Sequence, residues 1–178
     1  LALQAIGVSE GDEIIVPSLT YLASFQAITA SGATPVPCDI EKETFNIDPA
    51  AIKKLINSKT KAIMPVFYAG GVGNLEDINE IARLNNIRVV EDAAHAFGTQ
   101  YKNKRIGSFG DISCFSFDGI KNITSGEGGC IVADDKDVLN KKRNARLLGV
   151  ENDTEKRFNN DRSWIFDVKE QGWRYHMS

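Results

Sequence analysis

The chain has 178 residues, 42% of them hydrophobic and 25% charged, which suits one α/β domain with a buried core. Lys plus Arg number 21 against 24 Asp plus Glu, a formal net charge of −3, so the charge balance does not point to nucleic acid or anionic lipid. No apolar run reaches the length of a membrane span or carries a signal-peptide pattern, and Cys38, Cys114 and Cys130 are odd in number and widely spaced. Such cysteines, set in apolar runs, fit reduced buried thiols in a cytosolic protein rather than a disulfide framework or a metal site.

The opening LALQAIGV reads as a helix already under way, and the closing GWRYHMS stops without a terminating pattern. The chain is therefore expected to be a piece of a longer one. Four apolar runs read as buried strands: Glu13–Pro17, Thr34–Cys38, Ala62–Phe67 and Ile87–Glu91. Helical segments alternate with them. Tyr21–Ser31 ends at Gly32, Asp48–Asn57 opens on an Asp-Pro start signal, and Asn74–Leu84 carries Leu75, Ile78 and Ile81 at helical spacing. That alternation predicts a mainly parallel sheet between helices, a three-layer α/β/α fold.

Beyond Glu91 the rhythm changes. Asp111–Phe117 and Gly129–Ala133 are strand-like and joined by a glycine-rich loop alone, which predicts an antiparallel pair in a mixed sheet. Lys102, Lys104 and Arg105 form a basic, solvated turn between two strands. A helix is expected over Lys136–Leu148, and Glu151–Ser163 reads as a polar surface loop.

In open α/β sheets, ligands gather beyond the carboxyl ends of the strands. Three such ends carry reactive side chains. After the first strand come Ser18, Thr20 and Tyr21; after the fourth come Glu91, Asp92 and His95; after Asp111–Phe117 comes SFDGIKNITSGEGG, with Ser116, Asp118, Lys121, Asn122, Thr124 and Ser125. Each has an ordinary reading. An aspartate after a strand most often caps a helix, a histidine among alanines is usually structural, a tyrosine is usually core, and a lone lysine is usually solvated. Asp118, Asn122, Thr124, Ser125 and Glu127 read as loop hydrogen-bonding around the turns at Gly126 and Gly128.

Together the residues form a set that suits pyridoxal 5'-phosphate. That cofactor takes a lysine as a Schiff base, a carboxylate at its ring nitrogen, hydroxyl and backbone N–H donors for its phosphate, and an aromatic face against its ring.

The motifs GDEIIVPSLTYLAS, GATPVPCDI, VVEDAAHAFGTQYKNKRIGSFGD, CFSFDGIKNITSGEGG and GWRYHMS run in one order along nearly the whole chain. In this they resemble the DegT/DnrJ/StrS-type sugar aminotransferases, pyridoxal phosphate enzymes of the aspartate-aminotransferase fold class (fold-type I). The resemblance implies that Lys121 bonds the cofactor, Asp92 pairs with its ring nitrogen, Ser116 holds its phosphate and Tyr21 stacks on its ring. His95 stands where many relatives carry a glutamine on the ring-hydroxyl side. His176, in the YHMS motif, is expected to reach a neighbouring subunit's cofactor phosphate across a homodimer interface. No metal is implied.

The resemblance places residues 1–178 as the central part of the cofactor-binding large domain, with a Gly-Thr phosphate motif upstream and a smaller C-terminal domain both outside this sequence. The implied reaction is a two-stage transamination. An amino-acid donor, L-glutamate in this family, gives up its amino group, and a keto-sugar nucleotide takes it for amino-sugar and polysaccharide biosynthesis in the cytoplasm. Two rivals stand beside it: a non-catalytic regulatory remnant, which has no need of a Schiff-base amine, and a sugar dehydratase, which carries histidine at the lysine position.

Overall fold

Two prolines mark the edge of the sheet. The computed structural model describes residues 1–109, 111–150 and 167–175. In chain order its elements are α1 (Ala2–Ala5), β1 (Glu13–Pro17), α2 (Leu22–Ala30), β2 (Thr34–Cys38), α3 (Pro49–Leu55), β3 (Thr60–Ile63), α4 (Leu75–Leu84), β4 (Arg88–Asp92), β5 (Gln100–Tyr101), β6 (Lys104–Arg105), β7 (Ile112–Ser116), β8 (Gly129–Ala133) and α5 (Lys136–Ala145). The main sheet has the order β2-β1-β3-β4-β7-β8. In β2 the Thr34 N–H and the Cys38 carbonyl both bond toward β1, so Pro35 and Pro37 fall at positions facing outward, where no N–H is needed.

All neighbours from β2 to β7 run parallel, and β8 returns antiparallel to β7 with Ser116 opposite Gly129. Parallel strands inside a three-layer fold bury both faces, hence their unbroken apolar runs. Alternation sorts them. Ile14, Val16, Ala62, Met64 and Val90 pack with Ile28 of α2 and Val138 of α5, while Ile15, Ile63 and Val89 pack with Ile52 of α3 and with Ile78 and Ile81 of α4. A third cluster, built on Phe67, Leu75, Ala93, Ala96 and Phe115, lies under the turn that follows β4.

The expected layers, the mixed sheet and the antiparallel β7–β8 pair are all present. The third strand is shorter than the run Ala62–Phe67 suggests. Pro65 has no N–H and interrupts the ladder after Ile63, although Met64 still donates to the Ile15 carbonyl and Val66 bridges Asp92. Helix α5 stops at Ala145 rather than Leu148, because its last carbonyls are taken from outside: Trp173 N–H donates to Ala145 at 2.7 Å and Tyr175 N–H to Arg146 at 3.1 Å. The basic turn is a tight hairpin between β5 and β6, with Lys102 and Asn103 both at positive φ; Lys102 also pairs with Glu76 at 2.5 Å. The segment Glu151–Ser163 lies outside the described residues.

Candidate active site

Asp92 ends β4 between two neighbours. Its N–H donates to the Pro65 carbonyl at 2.8 Å, its own carbonyl accepts from Phe67, and Ala93 N–H donates to Cys114 of β7 at 2.8 Å. The backbone is thus fixed on both sides. So is the side chain: Oδ1 accepts from Ala94 N–H at 3.2 Å and Oδ2 accepts from the Ser24 hydroxyl at 2.7 Å. No helix follows, so the aspartate holds a turn instead of a helix cap.

Strand alternation separates Asp92 from Glu91. Asp92 faces the α2 side of the sheet, and Glu91 is wholly buried on the other, accepting a hydrogen bond from Ser113 while its second oxygen has no partner. Burial raises the Glu91 carboxyl from 4.5 to about 7, against the Ser113 bond that lowers it. Only Asp92, of the two acids in the EDAAHA motif, meets the carboxyl edge of the sheet.

Tyr21 stands at the start of α2, just past β1, and is 80% exposed; the ordinary reading of it as core does not hold. His95 is exposed in the turn after β4, between the buried Ala93 and Ala96. Ser116 closes β7, two residues beyond the Asp92–Cys114 pairing.

Lys121 lies in the loop between β7 and β8. Its N–H donates to Asp118 O at 3.0 Å, Ile120 N–H to Asp118 Oδ1 at 3.0 Å, Thr124 Oγ1 to Phe117 O at 3.1 Å and Ser125 N–H to Phe117 O at 3.0 Å. Asn122 Nδ2 reaches out of the loop to Phe97 O at 2.9 Å. The polar residues flanking the lysine therefore shape the loop, as expected of them. Lys121 itself is half-buried, and among the described residues its amine has neither ion pair nor hydrogen bond.

The fold brings the α2 start to Asp92 through Ser24, and the Lys121 loop to the His95 turn through Asn122. Ser116, Tyr21, His95, Asp92 and Lys121 all follow carboxyl ends of parallel strands. His176 lies outside the described residues. The sequence reading passed over Ser24, yet it falls four residues before the buried Ile28, on the inward face of α2. A hydroxyl at such a position needs a partner, and that is the signal that could have found it.

The cysteines are free thiols; burial raises Cys38 and Cys114 to about 12. Among the described residues no cluster of His, Cys, Asp and Glu could hold a metal, and no helix is long and apolar enough to cross a membrane.

The whole sequence, residues 1–178, matches the DegT/DnrJ/EryC1/StrS aminotransferase family. The chain belongs to that family. It is 46% identical over 178 residues to GDP-perosamine synthase of Caulobacter vibrioides, spanning 100% of this chain and 45% of that protein. Among solved structures it superposes on the aminotransferase from Psychrobacter cryohalolentis with a TM-score of 0.91 at 33% identity, covering 99% of this chain and 45% of the other. It also superposes on NtdA from Bacillus subtilis, determined with bound cofactor PMP, with a TM-score of 0.83 at 31% identity, covering 97% and 37%. The chain spans somewhat under half the length of the curated relatives it matches. Both superpositions take in nearly the whole of this chain.

Proposed function

We propose that this chain is the lysine-bearing part of a pyridoxal phosphate-dependent aminotransferase that moves an amino group from an amino acid, L-glutamate, to a keto-sugar nucleotide. The observation that carries the reading is the half-buried amine of Lys121, unpartnered among the described residues, on a loop tied to the turn that leaves Asp92. The donor set fits the cofactor: an amine without a competing charge, a carboxylate with both oxygens already oriented, and a hydroxyl at a strand end. Two similarities support it: GDP-perosamine synthase takes its name from an amino sugar, and NtdA holds PMP, the amine form of the same cofactor.

When bound, pyridoxal phosphate supplies an aldehyde that condenses with amines and a ring that takes up electrons when a neighbouring C–H bond breaks. Lys121 is the covalent anchor. With a donor bound, its neutral Nζ would move protons at the donor's α-carbon and, in the second stage, at the acceptor carbon that receives the amino group. Asp92 would accept the ring N–H and keep that nitrogen protonated, so that charge could develop in the ring. Ser116 would hold the phosphate, Tyr21 would cover one ring face, and His95 would meet the ring-hydroxyl side. His176 comes from a second copy in a homodimer. Residues 1–178 form the central part of the large domain, and the protein acts in the cytoplasm.

The test is an absorbance titration with pyridoxal phosphate, on the protein at the full length its gene encodes, followed by borohydride reduction and peptide mapping. A visible band that reduction fixes on Lys121 supports the reading. No adduct overturns it in favour of a binding protein without Schiff-base chemistry, and an adduct at another amine overturns Lys121 as the anchor.

A further inference from the structure

We propose that Ser24 is a positioning residue for Asp92, and that Thr20 aims Ser24 in turn, forming a directed hydroxyl relay onto the carboxylate. The inference rests on the reading of Asp92 as the ring-nitrogen partner.

Ser24 lies in the first turn of α2 and is 4% exposed. A serine inside a helix commonly turns its hydroxyl back onto a carbonyl of the preceding turn. Ser24 does not. Its Oγ donates across 68 positions of sequence to Asp92 Oδ2 at 2.7 Å, the short range of a hydrogen bond to a charged acceptor. Thr20 Oγ1 lies 2.8 Å from the same Ser24 oxygen. An ionised carboxylate only accepts, so the single Ser24 proton is spent on Asp92 and Ser24 must accept from Thr20. The chain of donors runs Thr20 to Ser24 to Asp92.

Two consequences follow. With Ala94 N–H on Oδ1 and Ser24 on Oδ2, the carboxylate is locked in one rotamer before any ligand arrives, with lone pairs left over for a ring N–H. Preorganisation of this kind removes an ordering cost from binding. The second consequence concerns Tyr21. It is exposed and so has little packing of its own, but it begins the helix that Ser24 pins to β4. One bond therefore holds the ring-facing aromatic and the ring-nitrogen partner at a fixed separation.

The experiment compares binding of pyridoxal phosphate with that of an analogue whose ring N–H is replaced by C–H, in wild type, Ser24→Ala, Ser24→Thr and Thr20→Val. Wild type should prefer the natural cofactor. Ser24→Ala should weaken it by about tenfold, the order expected for losing one hydrogen bond to a charged group, and weaken the analogue, which feels only the loosened Tyr21, by clearly less. Ser24→Thr should restore the preference. Thr20→Val should give a smaller loss of the same selective kind, and carries the test if Ser24→Ala fails to fold. Equal weakening of both ligands, or a preference that survives loss of either hydroxyl, overturns the relay while leaving the cofactor reading intact. A wild type that shows no preference removes Asp92 from the ring nitrogen, and the relay falls with it.

Discussion

Asn122 donates to the Phe97 carbonyl at 2.9 Å, and this bond spans from the loop that carries Lys121 to the turn that carries His95. The other loop bonds described above are internal, so they fix the loop's shape without fixing its place on the sheet. Removing the tie by Asn122→Ala should cost about 1 kcal/mol or less of stability, since the site is exposed. The fraction of protein trapped by borohydride at limiting pyridoxal phosphate should fall severalfold. Unchanged trapping would mean that the aromatic contacts of Phe97 with Phe115 and Phe117 hold the two segments together unaided.

Lys121→Ala should abolish the trapped adduct altogether, as read by intact mass after reduction. Lys121→Arg should do the same, because a guanidinium keeps its proton and is no nucleophile. Neither change removes a stabilising contact among the described residues, where the amine has no partner. The urea midpoint should therefore move by less than about 0.5 kcal/mol equivalent. A large stability loss would make the lysine structural.

The sheet was legible because burial on both faces gives its inner strands apolar runs, as in Ile14, Ile15 and Val16. The helices were legible through phase, as at Leu75, Ile78 and Ile81. The end of β3 was not, because apolar side chains continue past Pro65 while the hydrogen-bond ladder does not. At the candidate site, residue type and position after a strand picked out Asp92, Ser116 and Lys121. They could not pick out Ser24, whose role depends on a carboxylate 68 positions away. Nor could they show that Glu91 faces away from Asp92, since that rests on the pleat of β4.

Gly129 of β8 stands opposite Ser116 at the end of β7. A Cβ there would stand 2.5 Å from the Phe115 carbonyl oxygen, a backbone atom that cannot swing aside. Gly129→Ala should force the strands apart beside Ser116 and destabilise by about 1–3 kcal/mol, the usual cost of overpacking. Urea unfolding measures it. Cofactor affinity should fall as well, because the displaced strand end carries Ser116, the hydroxyl proposed for the phosphate side.

Glu91 should leave a signature in the pH dependence of stability. Its carboxyl titrates near 7 in the folded protein against an ordinary value of 4.5. Across that interval the folded state holds a proton that the unfolded state has released, so stability falls as pH rises from about 4.5 to about 7 and levels off above. The shift corresponds to a loss on the order of 3 kcal/mol between those limits. Glu91→Gln stays neutral at every pH and should flatten that slope, although its new amide N–H group inherits a site where one oxygen already lacks a partner. Urea denaturation of both proteins at pH 5 and pH 8 decides it. A slope that persists in the glutamine variant would assign the pH dependence to other groups and show that Glu91 ionises at little cost where it is.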